Sequence, residues 1–148
     1  DHKGQVVWER GNRKTRSVLE LANGTESLEA NSSLEAALRI LLEQEGVYND
    51  VAALLENGKS PYQILKQYSQ KQPENFTGCN LSSVLYYVSE GNYVLVMMDA
   101  NSAELIVGYD AQNIYVLNPL TGQMHKEGQK DAAAKYESCG NVFFSFTK

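Results

Sequence analysis

The sequence predicts an α+β domain, with helices in the first half of the chain and an antiparallel sheet in the second. Three observations lead there. Apolar residues recur at helical spacing from about residue 34 to residue 88. From Tyr93 onward the period shortens to the runs and alternations of strands. Gly, Asn and Pro fall between these segments, where helices stop and chains turn.

The first helix is predicted over 33–45. Ser32 and Glu35 have capping-box spacing, Leu34, Leu38, Leu41 and Leu42 form one apolar face, and Gly46 is a natural stop. A short second helix is predicted to begin at Asn49 or Asp50 and end at Asn57, before Gly58. A third starts at Ser60-Pro61, since Pro is tolerated in a first turn, and turns Ile64, Leu65 and Tyr68 inward. Asn80 caps a fourth helix that uses Leu81, Val84, Leu85 and Val88 and ends near Gly91. Residues 93–98 then read as a buried strand, 103–109 as its return after a turn at Asp99-Ala100-Asn101, and 114–117 as a third strand ended by Pro119. A strand at 123–126, a short helix at 131–136 and a last strand at 142–146 complete the series.

Composition narrows the function. The chain has 148 residues, 43% of them apolar, which suits one domain with a real core. With 13 basic against 18 acidic side chains, a net charge of −5, it is a poor phosphate binder, so nucleic acid is not an expected partner. No apolar run approaches the ~20 residues of a membrane-spanning helix, so insertion in a membrane is not expected either. Two cysteines, Cys79 and Cys139, and two histidines, His2 and His125, fit no metal-ligand spacing, so neither metal nor cofactor is implied. Asp1 is not an initiator Met and opens no signal-peptide pattern, which reads as a processed chain or a piece of a larger one. Residues 1–30 differ in character from the rest and read as an N-terminal arm or the end of a preceding domain.

The second half also carries a resemblance. Gly91-Asn92-Tyr93-Val94-Leu95-Val96, Ser102 to Asp110 with its Val107-Gly108-Tyr109-Asp110 ending, and Asn118-Pro119-Leu120-Thr121-Gly122 are similar to motifs of papain-like cysteine peptidases of the bacteriocin-processing (double-glycine leader peptidase) type. In that family a helix is followed by "G-x-P-V-x-V", an "H-x-x-x-x-V-G-Y-D" strand and a "D-P-x-x-G" turn. The helix at 33–45 then resembles the family's central helix, which carries the nucleophilic Cys at its start. The resemblance spans roughly residues 30 to 146 and implies a papain-like peptidase-type domain over 31–148, with helices packed on an antiparallel sheet.

Laid on this pattern, the nucleophile position falls on Ser33, the His position on Ser102, and the residue that orients the His on Asn118. The oxyanion Gln precedes the nucleophile in the family, whereas no Gln lies between Gln5 and Gln44 here. A cysteine peptidase needs a thiolate stabilised by a helix N-terminus and an imidazolium. Ser33 without a base reads as a helix-start residue, and Asn118 before Pro119 as a turn opener. The resemblance therefore implies a non-catalytic module of an exported or cell-surface bacterial protein. It would bind a peptide, a protein segment or an adjacent domain of the same chain in the former substrate groove.

Tyr86, Tyr93, Glu104 and Tyr109 are the candidates for contacts in that groove, since tyrosine joins a large face to a polar tip and Glu104 shares strand parity with Ser102. Half-buried sheet tyrosines would look the same. Cys79 and Cys139 read either as a disulfide or as free thiols. Cys79 also precedes a helix and would pair, if reactive, with His125. Two other classes remain open at this level. One is an active hydrolase with a rearranged site at Cys79 or Ser33; the other is a structural spacer whose groove is filled by the N-terminal arm, with Trp8 as plug. Four Asn-x-Ser/Thr sequons at Asn23, Asn31, Asn75 and Asn80 read as ordinary loop and cap residues.

Overall fold

A computed structural model describes residues 32–147, so the N-terminal arm, the Trp8 plug and the sequons at Asn23 and Asn31 lie outside the described residues. In chain order the elements are α1 (Ser33–Glu43), α2 (Val51–Glu56), α3 (Pro61–Tyr68), β1 (Gln72–Asn75), α4 (Leu81–Ser89), β2 (Val94–Met97), β3 (Ala103–Tyr109), β4 (Asn113–Leu117), β5 (Met124–Gly128), α5 (Gln129–Ser138) and β6 (Val142–Thr147). The strands form one sheet in the order β1-β6-β2-β3-β4-β5, every pair antiparallel.

Helices cover both faces. Leu95, Leu105, Val107, Leu117, Phe144 and Phe146 pack with α1, α2 and α3, while Val94, Val96, Ile106, Ile114, Val116 and Phe143 pack with α4 and α5. This explains why β2 reads as a continuous apolar run: a strand covered on both sides has no solvent face to keep polar. The architecture is thus an α+β sandwich of three layers, in which β6 enters the sheet between β1 and β2 only after α5 has carried the chain back.

α1 is the best-buried helix. The Ser32 side chain accepts the Glu35 N–H at 3.1 Å, and every residue from Leu34 to Glu43 except Arg39 is buried. Arg39 lies 3.6 Å from both Glu35 and Glu43, one turn to either side, so the helix's two buried carboxylates share one cation. The helix ends at Glu43, two residues sooner than expected. Gly46, at φ +80°, and Val47 return their N–H groups to Glu43 and Leu42, a left-handed stop that Gly takes without steric cost.

α3 begins where the sequence places it. Ser60 accepts the Gln63 N–H at 3.2 Å, Gln63 accepts the Ser60 N–H at 2.9 Å, and Pro61 stands at the first position. Ser60→Ala is expected to lower stability by about 1 kcal/mol, read as a shifted urea midpoint at unchanged slope. α4 is capped by Asn80, which accepts the Ser83 N–H at 2.9 Å.

Two further elements differ from expectation. β1, Gln-Pro-Glu-Asn, has no apolar alternation and contains Pro73; it is an edge strand paired only with β6, the place where a sheet tolerates Pro. α5 extends four residues beyond the expected 131–136, because it begins directly at the end of β5 and runs to Ser138.

Candidate functional site

The three positions of the peptidase pattern meet at one end of the sheet. Ser33 opens α1, Ser102 closes the β2–β3 turn, and Asn118 directly follows β4. The Leu34 N–H donates to the Asn101 carbonyl at 3.1 Å, and the Ala103 N–H donates to the Ser33 hydroxyl at 2.9 Å. The helix start is therefore stitched to the start of β3. Residue 102 lies one peptide bond from the Ser33 hydroxyl contact.

A cavity of about 230 Å³ opens beside this seam. Ser33, Glu104, Asn118 and His125 supply its polar wall, and Met98, Ala103, Val116, Pro119 and Leu120 its apolar one. His125 arrives through the sheet register, directly across from Val116. That register is fixed by the turn that Asn118 and Gln123 close, with Gly122 at φ +75°. The hairpin length between 118 and 123 is the sequence signal that places His125 here.

Each polar group on this wall has a structural occupation. The Asn118 side-chain oxygen accepts the Leu120 N–H at 2.9 Å and the Thr121 N–H at 3.4 Å, so it opens the turn. Ser102 is not on the lining. Its carbonyl accepts the Met98 N–H at 2.7 Å, and its hydroxyl bonds to Asp99. The Asn101 N–H and that hydroxyl hold the Asp99 carboxyl below its usual range. His125 Nε2 lies 3.5 Å from Glu127. Ser33, on the lining with it, uses its hydroxyl oxygen as an acceptor from Ala103.

Glu104 is held from the α5 side. The Tyr136 hydroxyl donates to it at 2.7 Å, and Lys135 lies 3.4 Å from Glu104 and 2.8 Å from Glu127. Burial, then the Glu104 carboxylate, push the Tyr136 phenol far above its ordinary range. For Lys135 burial works against the charge, but the bond to Glu127 and the two carboxylates outweigh it and raise its pKa. Glu104 thus lies on the cavity wall without Ser102, in a network that anchors α5 to β3.

The expected groove is divided. Tyr93 is 4% exposed inside the α1-side core, so it offers no contact to a ligand; the residue before a two-face-buried strand is buried with it. Tyr86 and Tyr109 line a second cavity, of about 370 Å³, between α4 and the β3–β4 turn. Only Glu104 of the four candidates lies beside Ser33 and Asn118.

The cysteines are not joined. Cys79 and Cys139 are free and half-buried. Facing segments nevertheless carry them, since the Gly78 N–H donates to the Asn141 carbonyl at 2.9 Å. Cys79 packs against the α4–α5 side of the core and does not line the cavity that holds His125, so the structure gives no Cys–His pair there. Among the described residues, no group of three or more His, Cys, Asp or Glu side chains is placed to hold a metal ion, and no helix is long and apolar enough to cross a membrane.

No family model matches the chain, and no curated protein matches it in sequence. Among solved structures it is similar to a crystal structure from Bacillus anthracis described as a C39-like peptidase, at a TM-score of 0.66 and 14% identity, over 80% of this chain and 90% of that one. At that identity the likeness establishes the fold alone: this chain has a C39-like peptidase fold.

Proposed function

We propose that this domain is a non-catalytic relative of C39-like peptidases that binds an extended peptide, or a segment of an adjacent domain, in the former substrate groove. The observation that carries this reading is the Ser33 hydroxyl. It stands at the helix start where the family's motif places a thiol, yet it accepts a backbone hydrogen bond at 2.9 Å and has a serine at the position where the motif has its histidine. A hydroxyl so engaged, without a base, is no nucleophile at neutral pH. The cavity supports a side-chain ligand. At about 230 Å³ it lies below the ~300–1,000 Å³ of small-molecule pockets, and it combines an apolar wall with a carboxylate and an imidazole. Export by a bacterial cell belongs to the same reading.

One arrangement favours a second reading, a serine hydrolase. Ser33 and His125 share the cavity, and Glu127 lies 3.5 Å from the ring, the acid-base-nucleophile composition of a triad. One experiment separates the two. The chain is incubated with a fluorophosphonate probe at pH 7.5 and analysed by intact mass. No adduct, together with no cleavage of a peptide library, is expected; a stoichiometric adduct mapped to Ser33 would overturn the non-catalytic reading and install the second.

A further inference from the structure

The cavity between α4 and the β3–β4 turn lies at the far end of β3 from Ser33. Glu104 and Tyr109 are five residues apart on that strand, so the two cavities are separated by roughly 16 Å. The second cavity is thus no part of the former catalytic groove. At about 370 Å³ it falls within the ~300–1,000 Å³ of small-molecule pockets. Tyr86, Tyr109 and Leu85 give its wall three large side chains, and Ser82, Ser89 and Gln129 add polar ones.

The cavity presents no charge to a ligand. Asp110 borders it, but the carboxylate of that residue is taken up within the β3–β4 turn. It accepts the Gln112 N–H at 2.9 Å, the Asn113 N–H at 2.8 Å, the Asn113 side-chain amide at 3.3 Å and the hydroxyl of Tyr115, which packs on the α1 side of the sheet. No Lys, Arg or His among the described residues lines the cavity. An ionic ligand would lose hydration there without meeting a counter-charge.

The wall offers instead neutral groups that both donate and accept. The Tyr86 and Tyr109 phenols and the Ser82 hydroxyl make no hydrogen bond among the described residues. The Gln129 amide nitrogen donates to the Asp110 carbonyl at 2.6 Å and the Asn113 carbonyl at 3.4 Å, which leaves its oxygen as an acceptor. Ser89 donates to the Tyr86 carbonyl, so its own oxygen keeps accepting capacity. Beside these groups Tyr86 is 55% exposed, on a helix whose other residues mostly turn inward. Tyr86 is braced edge-on against Tyr87 at 5.1 Å, and Tyr87 is stacked on Phe76 at 4.3 Å, so an exposed ring is kept in place without being covered.

We propose that this cavity is a second binding site, one that takes a neutral sugar, with a pyranose ring stacked on Tyr86 and its hydroxyls bonded to Tyr109, Ser82 and Gln129. The C–H groups on one face of a pyranose complement the electron-rich face of a phenol, and sugar hydroxyls donate and accept as this wall does. A proline ring of a partner peptide would stack equally well, but it carries no hydroxyl and would leave most of the polar wall unpaired.

The test is a titration of the isotope-labelled chain, followed by amide shifts, with methyl pyranosides of gluco, galacto, manno and N-acetylgluco configuration to about 50 mM. Sorbitol, which has the hydroxyls without the ring face, and N-acetyl-proline amide, which has a ring without hydroxyls, serve as controls. With at least one pyranoside, saturable shifts are expected at residues 82–86, 109–111 and 129, with a Kd on the order of 1–10 mM that does not change as salt is raised. Tyr86→Ala, at an exposed position, is expected to weaken that binding about three- to tenfold with the remaining spectrum unchanged. Tyr109→Phe keeps the ring that packs on the α4 side and should weaken it about two- to fivefold. No saturable shift with any of the four pyranosides, equal binding of sorbitol or of the proline amide, or an unaffected Tyr86→Ala variant would each overturn the proposal. Shifts confined to the Ser33 cavity would do so too, while leaving the groove reading intact.

Discussion

Replacing Tyr136 by phenylalanine is expected to destabilise the fold by about 1–3 kcal/mol at neutral pH and to remove part of its alkaline sensitivity. The ring itself is retained, and with it the edge-to-face contact with Phe143 at 5.8 Å. What is lost is the hydroxyl that donates to Glu104 at 2.7 Å, leaving that half-buried carboxylate with Lys135 at 3.4 Å. The pH dependence follows from the raised pKa values of Tyr136 and Lys135. Above about pH 10 the unfolded chain releases these protons while the folded one keeps them, so the folded state binds more protons and stability falls as pH rises. Both groups therefore contribute stability that is complete below their unfolded pKa values and is lost toward the folded ones. Tyr136 alone accounts for up to ~1.4 kcal/mol per pH unit there. Urea unfolding at pH 8 and at pH 10.5 checks this: wild type should lose more stability across the interval than Tyr136→Phe. Equal losses would mean that Tyr136 titrates no differently in the folded chain.

The contrast between what the sequence disclosed and what it hid follows from the range of the interactions. Ser32, Ser60 and Asn80 announce helix starts because a cap is settled within three residues. The switch of period at Tyr93 announces the sheet for the same local reason. β1 stayed hidden because Gln72-Pro73-Glu74-Asn75 is a strand only by virtue of β6, some 70 residues later. Tyr86, Tyr93 and Tyr109 look alike in sequence, and only tertiary placement assigns them to a surface, a core and a cavity wall. Likewise Glu104 and Ser102 share strand parity, but α5 claims Glu104 through Tyr136 and Lys135, while Ser102 stays behind in the turn. The alignment of Ser33, Ser102 and Asn118 from motif spacing puts all three at one end of the sheet. The cavity that Ser33 and Asn118 line also contains His125, which the motif does not predict.

Placing a cysteine and a histidine at the two positions that the peptidase motif assigns to them should create thiolate chemistry, because the fold brings both positions to one end of the sheet. In a Ser33→Cys/Ser102→His variant the thiol stands at the first residue of a long buried helix, beside the start of β3, where residue 102 is one peptide bond from the contact made by Ser33. An ordinary thiol of pKa ~8.5 is about 0.3% thiolate at pH 6; an imidazolium and a helix N-terminus that lower it to ~5.5 make it about 75% thiolate. That gain of roughly 240-fold is offset by roughly 20-fold lower intrinsic nucleophilicity of the more acidic thiol, so alkylation by iodoacetamide at pH 6 should be about tenfold faster than that of an ordinary thiol, and the imidazolium's share of that gain should make it faster than in Ser33→Cys alone, which already has the helix N-terminus. Peptide mapping separates this site from Cys79 and Cys139. Identical rates in the two variants would show that residue 102 does not approach the helix start closely enough to pair with it. Faster labelling without peptide cleavage is the fuller expectation, since no Gln lies between Gln5 and Gln44 to serve as the oxyanion donor the motif requires. A reactive thiolate and a working peptidase would then be separated by one hydrogen-bond donor.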